Sequence, residues 1–264
     1  MLVSEVMLQQ TPVVRVLPAW TRWMQRWPAP ADLAAEAPGE AIRMWERLGY
    51  PRRALRLHAA AVAIVGRHGG HVPESHTDLL ALPGVGSYTA AAVASFAFGG
   101  RHAVLDTNVR RVIGRVAAGT RHPGPAVTAA ETALAERLVP ADASTAARWA
   151  VATMELGALV CTARTPRCES CPVANLCRWR LAGSPEHAGP PRRTQAYEGT
   201  DRRVRGLLLA ALRAADGPVP LATLVAAAPD DVLRDPRQRS RALDGLVADG
   251  LVEPLDAGRF RLPA

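Results

Sequence analysis

Cys161, Cys168, Cys171 and Cys177 are the only cysteines of the chain, and all four fall within seventeen residues. No other feature constrains the fold as strongly, because four thiols on so short a loop must share one partner. In a chain with no secretory features, such clustering reads as metal ligation rather than disulfides. The spacing C-x6-C-x2-C-x5-C admits tetrahedral zinc or a [4Fe–4S] cluster. Zinc modules usually pair two short C-x2-C knuckles, and here only the middle gap is short. The wider outer gaps suit the corners of a cuboidal cluster and favour iron–sulfur. Arg164, Arg167, Arg178 and Arg180 make the loop basic. That suits a structural knot that presents cations to phosphate, with a solvated charged loop as the plainer alternative.

The 264 residues carry a formal charge of +8 with 32 basic residues, every one an arginine. A basic balance fits a polyanionic partner, although GC-rich coding also exchanges lysine for arginine. Residues 201–264 hold ten arginines against nine acids, an excess of one, so the remaining seven lie in the first 200 residues. Any nucleic-acid footprint is therefore expected at the front of the chain. Apolar residues make up 48%, which excludes a disordered chain. No run of about 18 apolar residues is present, so no membrane span is expected. The N-terminus lacks a basic region and carries Glu5, which does not fit a signal peptide. A cytoplasmic, monomeric protein is the expectation.

Residues 3–180 read as almost wholly helical, with apolar positions recurring at three and four and broken by Pro, Gly and Ser/Thr caps. Helices are expected over about 2–9, 30–47, 52–67, 75–82, 87–98, 108–118, 126–137 and 143–158, with Thr11 as N-cap and Pro12 at N1 of a further one. Residues 181–200 form a Pro/Gly-rich linker. From 201 onward, three helices and a hairpin from "LVEPL" and "RFRLP" around Asp256-Ala257-Gly258 resemble a small winged-helix domain. In DNA-binding versions its third helix, here with Arg237, Arg239 and Arg241, would enter the major groove. The near-neutral charge of the segment favours packing or partner docking instead.

Three stretches carry chemistry. In "ALPGVGSYTAAAVASF" (81–96), Gly84 and Gly86 allow a sharp turn that bares backbone N–H groups ahead of a helix N-terminus, a site for phosphate or a plain interhelical turn. In "AVLDTNVRRVIGRV" (103–116), Asp106 stands before a basic amphipathic helix. There it is either an N-cap or an ionised carboxylate that steadies a developing sugar cation. In "VSEVMLQQT" (3–11), apolar neighbours surround Glu5. Burial there would hold a carboxyl protonated as a general acid; otherwise it is an acid that complements a helix dipole. The histidines, His58 and His102 among them, have no metal spacing.

In order, "SEVMLQQT", "LGYPRRALRLH", "LPGVGSYTA", "LDTNV" and the cysteine pattern resemble the MutY-type adenine DNA glycosylases of the helix-hairpin-helix superfamily, related to endonuclease III. The resemblance covers residues 3–180. It implies a mainly α helix-hairpin-helix glycosylase fold with an iron–sulfur loop. Its partner would be double-stranded DNA carrying a mispaired adenine, hydrolysed from its sugar after flipping out of the duplex. Glu5 then matches the acid that protonates the leaving adenine, and Asp106 the carboxylate that stabilises the oxocarbenium-like sugar or bonds to it transiently. Asn108 and Tyr88 match residues that support this site. Gln10, Thr11 and Leu57 match residues that invade the duplex and contact the opposite base. Gly84, Val85 and Gly86 match the hairpin that grips a phosphate, often with a monovalent cation. The lyase branch places a Schiff-base lysine where this chain has Tyr88, and the chain has no lysine at all, so a monofunctional hydrolytic enzyme is implied.

Three departures stand out. The family normally has a segment before "SEVMLQQT", so the true start is expected upstream of Met1. Val151 stands where many members have Gln or Glu facing the adenine. The residues after Arg180 are too few and patterned wrongly for the Nudix-like domain that reads 8-oxoguanine in better-known members. The competing readings are an endonuclease III-like glycosylase for damaged pyrimidines and a non-catalytic iron–sulfur DNA-binding protein.

Overall fold

The structure is a computed structural model and describes residues 1–186 and 197–264. The central part of the expected 181–200 linker lies outside the described residues. The chain divides into two compact units. One holds Met1–Leu2, Glu74–Ala81 and the chain from Val85 through residue 186; the other holds Val3–Pro73, Leu82–Gly84 and the residues from 197 to Ala264.

The unit built on the chain's first stretch begins with the short helix α1 (Leu2–Leu8) and continues through α2 (Val13–Arg26), α3 (Pro30–Ala34), α4 (Pro38–Trp45) and α5 (Arg52–His68). Pro38 sits in the first turn of α4, with Ala37 extended before it. It therefore divides the single helix expected over 30–47 into two, because the residue before a proline avoids the helical region. The helix α2 begins one residue later than expected, with Pro12 and not Thr11 at its N-cap. Trp23, Trp27 and Trp45 form the heart of this core, with edge-to-face ring contacts at 4.7 and 5.9 Å. Such pairs add about 0.5–1.5 kcal/mol beyond their buried area.

The other unit contains α6 (His76–Leu80), α7 (Ser87–Phe96), α8 (Thr107–Ile113), α9 (Ala129–Leu138), α10 (Ala143–Glu155) and α11 (Arg178–Leu181). Ser75, Asp106, Thr128 and Asp142 each cap a helix with a side-chain oxygen, as their residue types predict. Both α8 and α10 end in one π turn, Gly114–Ala118 and Leu156–Val160 respectively. Ala91, Ala92, Val104 and Ala150 form a core against which Tyr88, Phe96, Trp149 and Met154 pack.

The C-terminal segment consists of α12 (Asp201–Ala214), β1 (Val219–Pro220), α13 (Leu221–Ala227), α14 (Gln238–Ala248), β2 (Glu253–Leu255) and β3 (Arg259–Arg261). Its antiparallel sheet has the order β1-β3-β2, with Phe260 opposite both Val219 and Pro254. Helix–strand–helix–helix–hairpin is the winged-helix order. The expected hairpin is present, and β1, too short to show alternation, is the addition. The segment belongs to the same compact unit as residues 3–73. Arg43 donates to Ala215 O and Arg213 to Ile42 O, each at 3.0 Å, and Gly39 N donates to Pro263 O at 2.8 Å. Burial pulls the Arg213 pKa down to about 10. Arg239 on α14 is taken by Ala228 O and Asp230, and Arg241 by Asp235 and Asp201. Two of the three cations expected to enter a groove are thus neutralised locally.

Candidate active site and cluster loop

Asp106 is half-buried at the N-cap of α8. Its Oδ1 accepts from the Val109 amide at 2.6 Å, and its Oδ2 from Asn108 Nδ2 at 2.9 Å. Asn108 Oδ1 in turn accepts from Arg111 Nη2 at 2.9 Å. Only one amide orientation satisfies both bonds, so the network fixes Asn108. Burial raises the Asp106 carboxyl above the ordinary aspartate value, against the opposing pull of the Val109 amide, Asn108 and Arg111. Asp106 is therefore the N-cap of α8, held in a place where burial disfavours its ionised form.

Arg111 extends this network to the cysteine loop. Its Nε donates to Cys161 O at 2.7 Å and its Nη2 to Gly157 O at 2.5 Å. Gly157 lies against Asn108 so closely that a Cβ would stand 2.8 Å from Asn108 Cβ and 2.9 Å from its carbonyl oxygen. One turn further along α8, Arg115 is only 1% exposed. It donates to Thr162 O at 2.9 Å, to Ala163 O at 3.1 Å and to Cys161 Sγ at 3.3 Å, and stacks on Trp179. Arg110 is also buried and paired with Glu131. The basic face expected of this helix therefore points inward, and its arginines are structural. The sequence hint was their spacing: 111 and 115 lie four apart and share one face.

The four cysteines line one cavity with Val112, Trp179 and Arg180. Four cysteines around one cavity suit a cuboidal cluster, which takes one thiolate at each iron corner. Burial and the three neighbouring thiols push Cys168 upward, so a cationic centre is needed to hold all four as thiolates. Arg164, Arg167, Arg178 and Arg180 are exposed around the loop.

The hairpin places Gly84 at φ +77°, where a Cβ would stand 2.5 Å from Arg56 Cβ, so glycine is required there. Val85 is buried, and Gly86 is the extended N-cap of α7. Tyr88 is half-buried in the first turn of α7, and Val151 is exposed on α10.

In the other unit, Glu5 is 8% exposed in α1. The following turn puts exposed Gln10 at φ +55°. Arg53 clamps this turn from α5: its guanidinium donates to Val6 O, Gln9 O, Gly49 O and Thr11 Oγ1. Thr11 is buried, with its hydroxyl occupied by Arg53 and by Leu48 O, and Leu57 is 4% exposed in the core face of α5. Thr11 thus holds the turn, and Leu57 packs the core. Arg53 was not singled out from sequence; nothing in "PRRA" says which arginine turns inward.

Residues 3–138 match the HhH-GPD superfamily base excision DNA repair protein model, and residues 161–177 match the iron-sulfur binding domain of endonuclease III. The adenine DNA glycosylase of Mycobacterium tuberculosis is 52% identical over 99% of this chain and 84% of its own length. The human adenine DNA glycosylase is 46% identical over 67% of this chain and 33% of its own. Among solved structures, a thermostable thymine-DNA glycosylase aligns over 69% of this chain and 83% of its own, with a TM-score of 0.61 and 30% identity. A trapped endonuclease III–DNA covalent intermediate aligns over 69% and 84%, at 0.60 and 25%. The chain belongs to the HhH-GPD superfamily of base excision DNA repair proteins and, within it, to the adenine DNA glycosylases. It is a DNA N-glycosylase, and the four cysteines hold a [4Fe–4S] cluster.

Proposed function

We propose that the protein removes adenine mispaired with 8-oxoguanine or guanine from double-stranded DNA and acts as a monofunctional glycosylase. The observation that carries this is the half-buried Asp106 carboxylate, fixed at both oxygens at the start of α8. Flipping a base costs a few kcal/mol, and exposed Gln10 on its clamped turn enters the gap left behind. Glu5, buried in α1, protonates the departing adenine. Asp106 faces the sugar as the bond breaks and stabilises its positive charge, and water completes the hydrolysis. Asn108 holds Asp106, and Tyr88 supports the site from α7, where it packs on the Ala91, Ala92, Val104 and Ala150 core. Pro83–Gly86 takes a phosphate on its N–H groups, and a monovalent cation at the same turn belongs to this reading. When bound, the cluster ties loop 161–177 into one body, to which Arg111 and Arg115 anchor α8. Residues 1–180 act as the glycosylase domain, 181–200 as linker and 201–264 as a winged-helix-like domain. Four cysteines kept as cluster ligands rather than disulfides are in keeping with work in the reducing cytoplasm.

Single-turnover assay on a duplex with adenine opposite 8-oxoguanine tests the proposal. Free adenine is expected with strand breakage only after hot alkali, because no lysine exists to form an imine. Breakage without alkali would refute the monofunctional reading. No adenine release, with the cluster bound and DNA binding intact, would favour a binding protein instead.

Gly157→Ala probes the support of Asp106. The added methyl group must displace Asn108, and a shift of about 1 Å can cost about 10²-fold in rate. A loss of that order is expected with the cluster absorbance retained, and an unchanged rate would remove Gly157 from the positioning of the site.

A further inference from the structure

Arg202, in the first turn of α12, holds its guanidinium between two tyrosine rings, 5.4 Å from the centroid of Tyr50 and 5.8 Å from that of Tyr197. On Tyr50 also stands the guanidinium of Arg53, at 5.2 Å. Cation and ring thus alternate four times within one compact unit. The buried end of this column is the clamp on the Gln9–Thr11 turn. Its outer end is open: Tyr50 is 48% exposed, Tyr197 51%, and Arg202 is exposed as well.

Both rings are held by their backbones. Tyr50 is at φ +48°, a conformation that a non-glycine residue keeps only where its surroundings impose it. The carbonyl before it, Gly49 O, accepts from Trp45 Nε1 at 2.9 Å and from Arg53 at 3.2 Å. Behind Tyr197, Arg234 donates to Glu198 O at 3.2 Å and Gln238 to Gly199 O at 3.0 Å.

A column that served packing alone would be covered, and a surface ion pair would give Arg202 an acid. Its neighbours Arg203 and Arg205 do have acids, Glu198 and Asp249. Among the described residues Arg202 has none. A guanidinium held by ring faces keeps its in-plane N–H donors directed outward, the arrangement that receives phosphate oxygens. We infer that Arg202, flanked by Tyr50 and Tyr197, binds a backbone phosphate of the DNA strand that the Gln10 turn enters. This rests on the reading of that turn as the element inserted into the duplex. The C-terminal segment then supplies a sequence-independent contact that adds affinity and leaves the chemical step alone.

Arg202→Gln and Arg202→Lys test this in the full chain, with binding measured against salt. The duplexes carry adenine opposite 8-oxoguanine or opposite thymine, and the rate of adenine release is measured at saturating enzyme. Arg202→Gln is expected to weaken both duplexes about five- to tenfold at low salt and to lower the salt slope by about one. Arg202→Lys should keep the slope, and both variants should keep the saturated rate. An unchanged slope for Arg202→Gln, a loss confined to one duplex, a slope lost in Arg202→Lys or a fall in the saturated rate would each overturn the assignment. If the wild-type chain released no adenine, the base-excision reading would fail, while the slopes would still decide what Arg202 binds.

Discussion

Asp106→Asn is expected to lower single-turnover adenine release by about 10³-fold or more while leaving duplex binding and cluster absorbance intact. The amide preserves the shape of the side chain and its oxygen can still accept from the Val109 amide, so α8 keeps its cap. Its nitrogen then faces the Asn108 amide nitrogen, so the bond to Asn108 is lost together with the negative charge that meets the developing sugar cation. The same substitution removes the cost of ionising a buried carboxyl, which offsets the lost bond, and Tm should change little. Burial lifts the Asp106 pKa above its unfolded value, so the folded state binds the proton more tightly than the unfolded one. Ionisation therefore costs stability; the cost is full above the folded pKa and vanishes as pH falls below the unfolded value. Asparagine carries no such cost. In the wild type, the acid limb of the rate profile should lie above the ordinary aspartate range, since only the ionised form works. A rate within about tenfold of wild type, against the 10²–10⁴ expected of such groups, would remove Asp106 from the chemistry.

Glu5→Gln is expected to cost about 10²–10⁴-fold for a different reason: the base leaves unprotonated. The two losses can be separated by the leaving group. A duplex carrying a purine that departs readily without a proton should recover most of the rate in Glu5→Gln and little of it in Asp106→Asn. Equal recovery in both variants would place the two carboxyls in a single role. Because Glu5 is buried, as are its neighbours in sequence Val6 and Met7, circular dichroism and Tm accompany the assay. Glutamine fits the same volume, and a folded but slow variant is the expected result.

How far this site could be read from sequence depended on what each residue's type alone decides. Four cysteines on one loop can only converge, and an aspartate followed by Thr-Asn and an apolar-basic helix can only cap it. Those features were legible. Side-chain direction was not. Arg110, Arg111 and Arg115 give their helix a basic face in the sequence, yet all three are buried: Arg111 and Arg115 donate to carbonyls of the second π turn and the cysteine loop, and Arg110 pairs with Glu131. Thr11 and Leu57 carry no mark in the sequence that they point inward; that depends on Arg53 and Leu48, more than thirty residues from Thr11. Arg239 and Arg241 read as groove-entering cations until the local acids Asp230, Asp235 and Asp201 are seen to take them. The helix expected over 30–47 broke at Pro38, a local signal that the apolar periodicity on both sides obscured.

The paired π turns limit how this chain can change in length. Each is equivalent to one residue more than an α-helix would need over the same rise; the first lies between α8 and the segment from Gly119, the second between α10 and the loop that starts at Cys161. Losing that residue would restore α pitch and rotate everything beyond it by about 100°, swinging Cys161 or the Gly114–Ala118 wall out of register with its partners. Insertions and deletions in the lineage should therefore collect in segments such as 119–128, which precede a freshly capped helix, and be absent from the stretches 106–118 and 150–161. In this part of the molecule the residue count is inherited as strictly as the residues themselves.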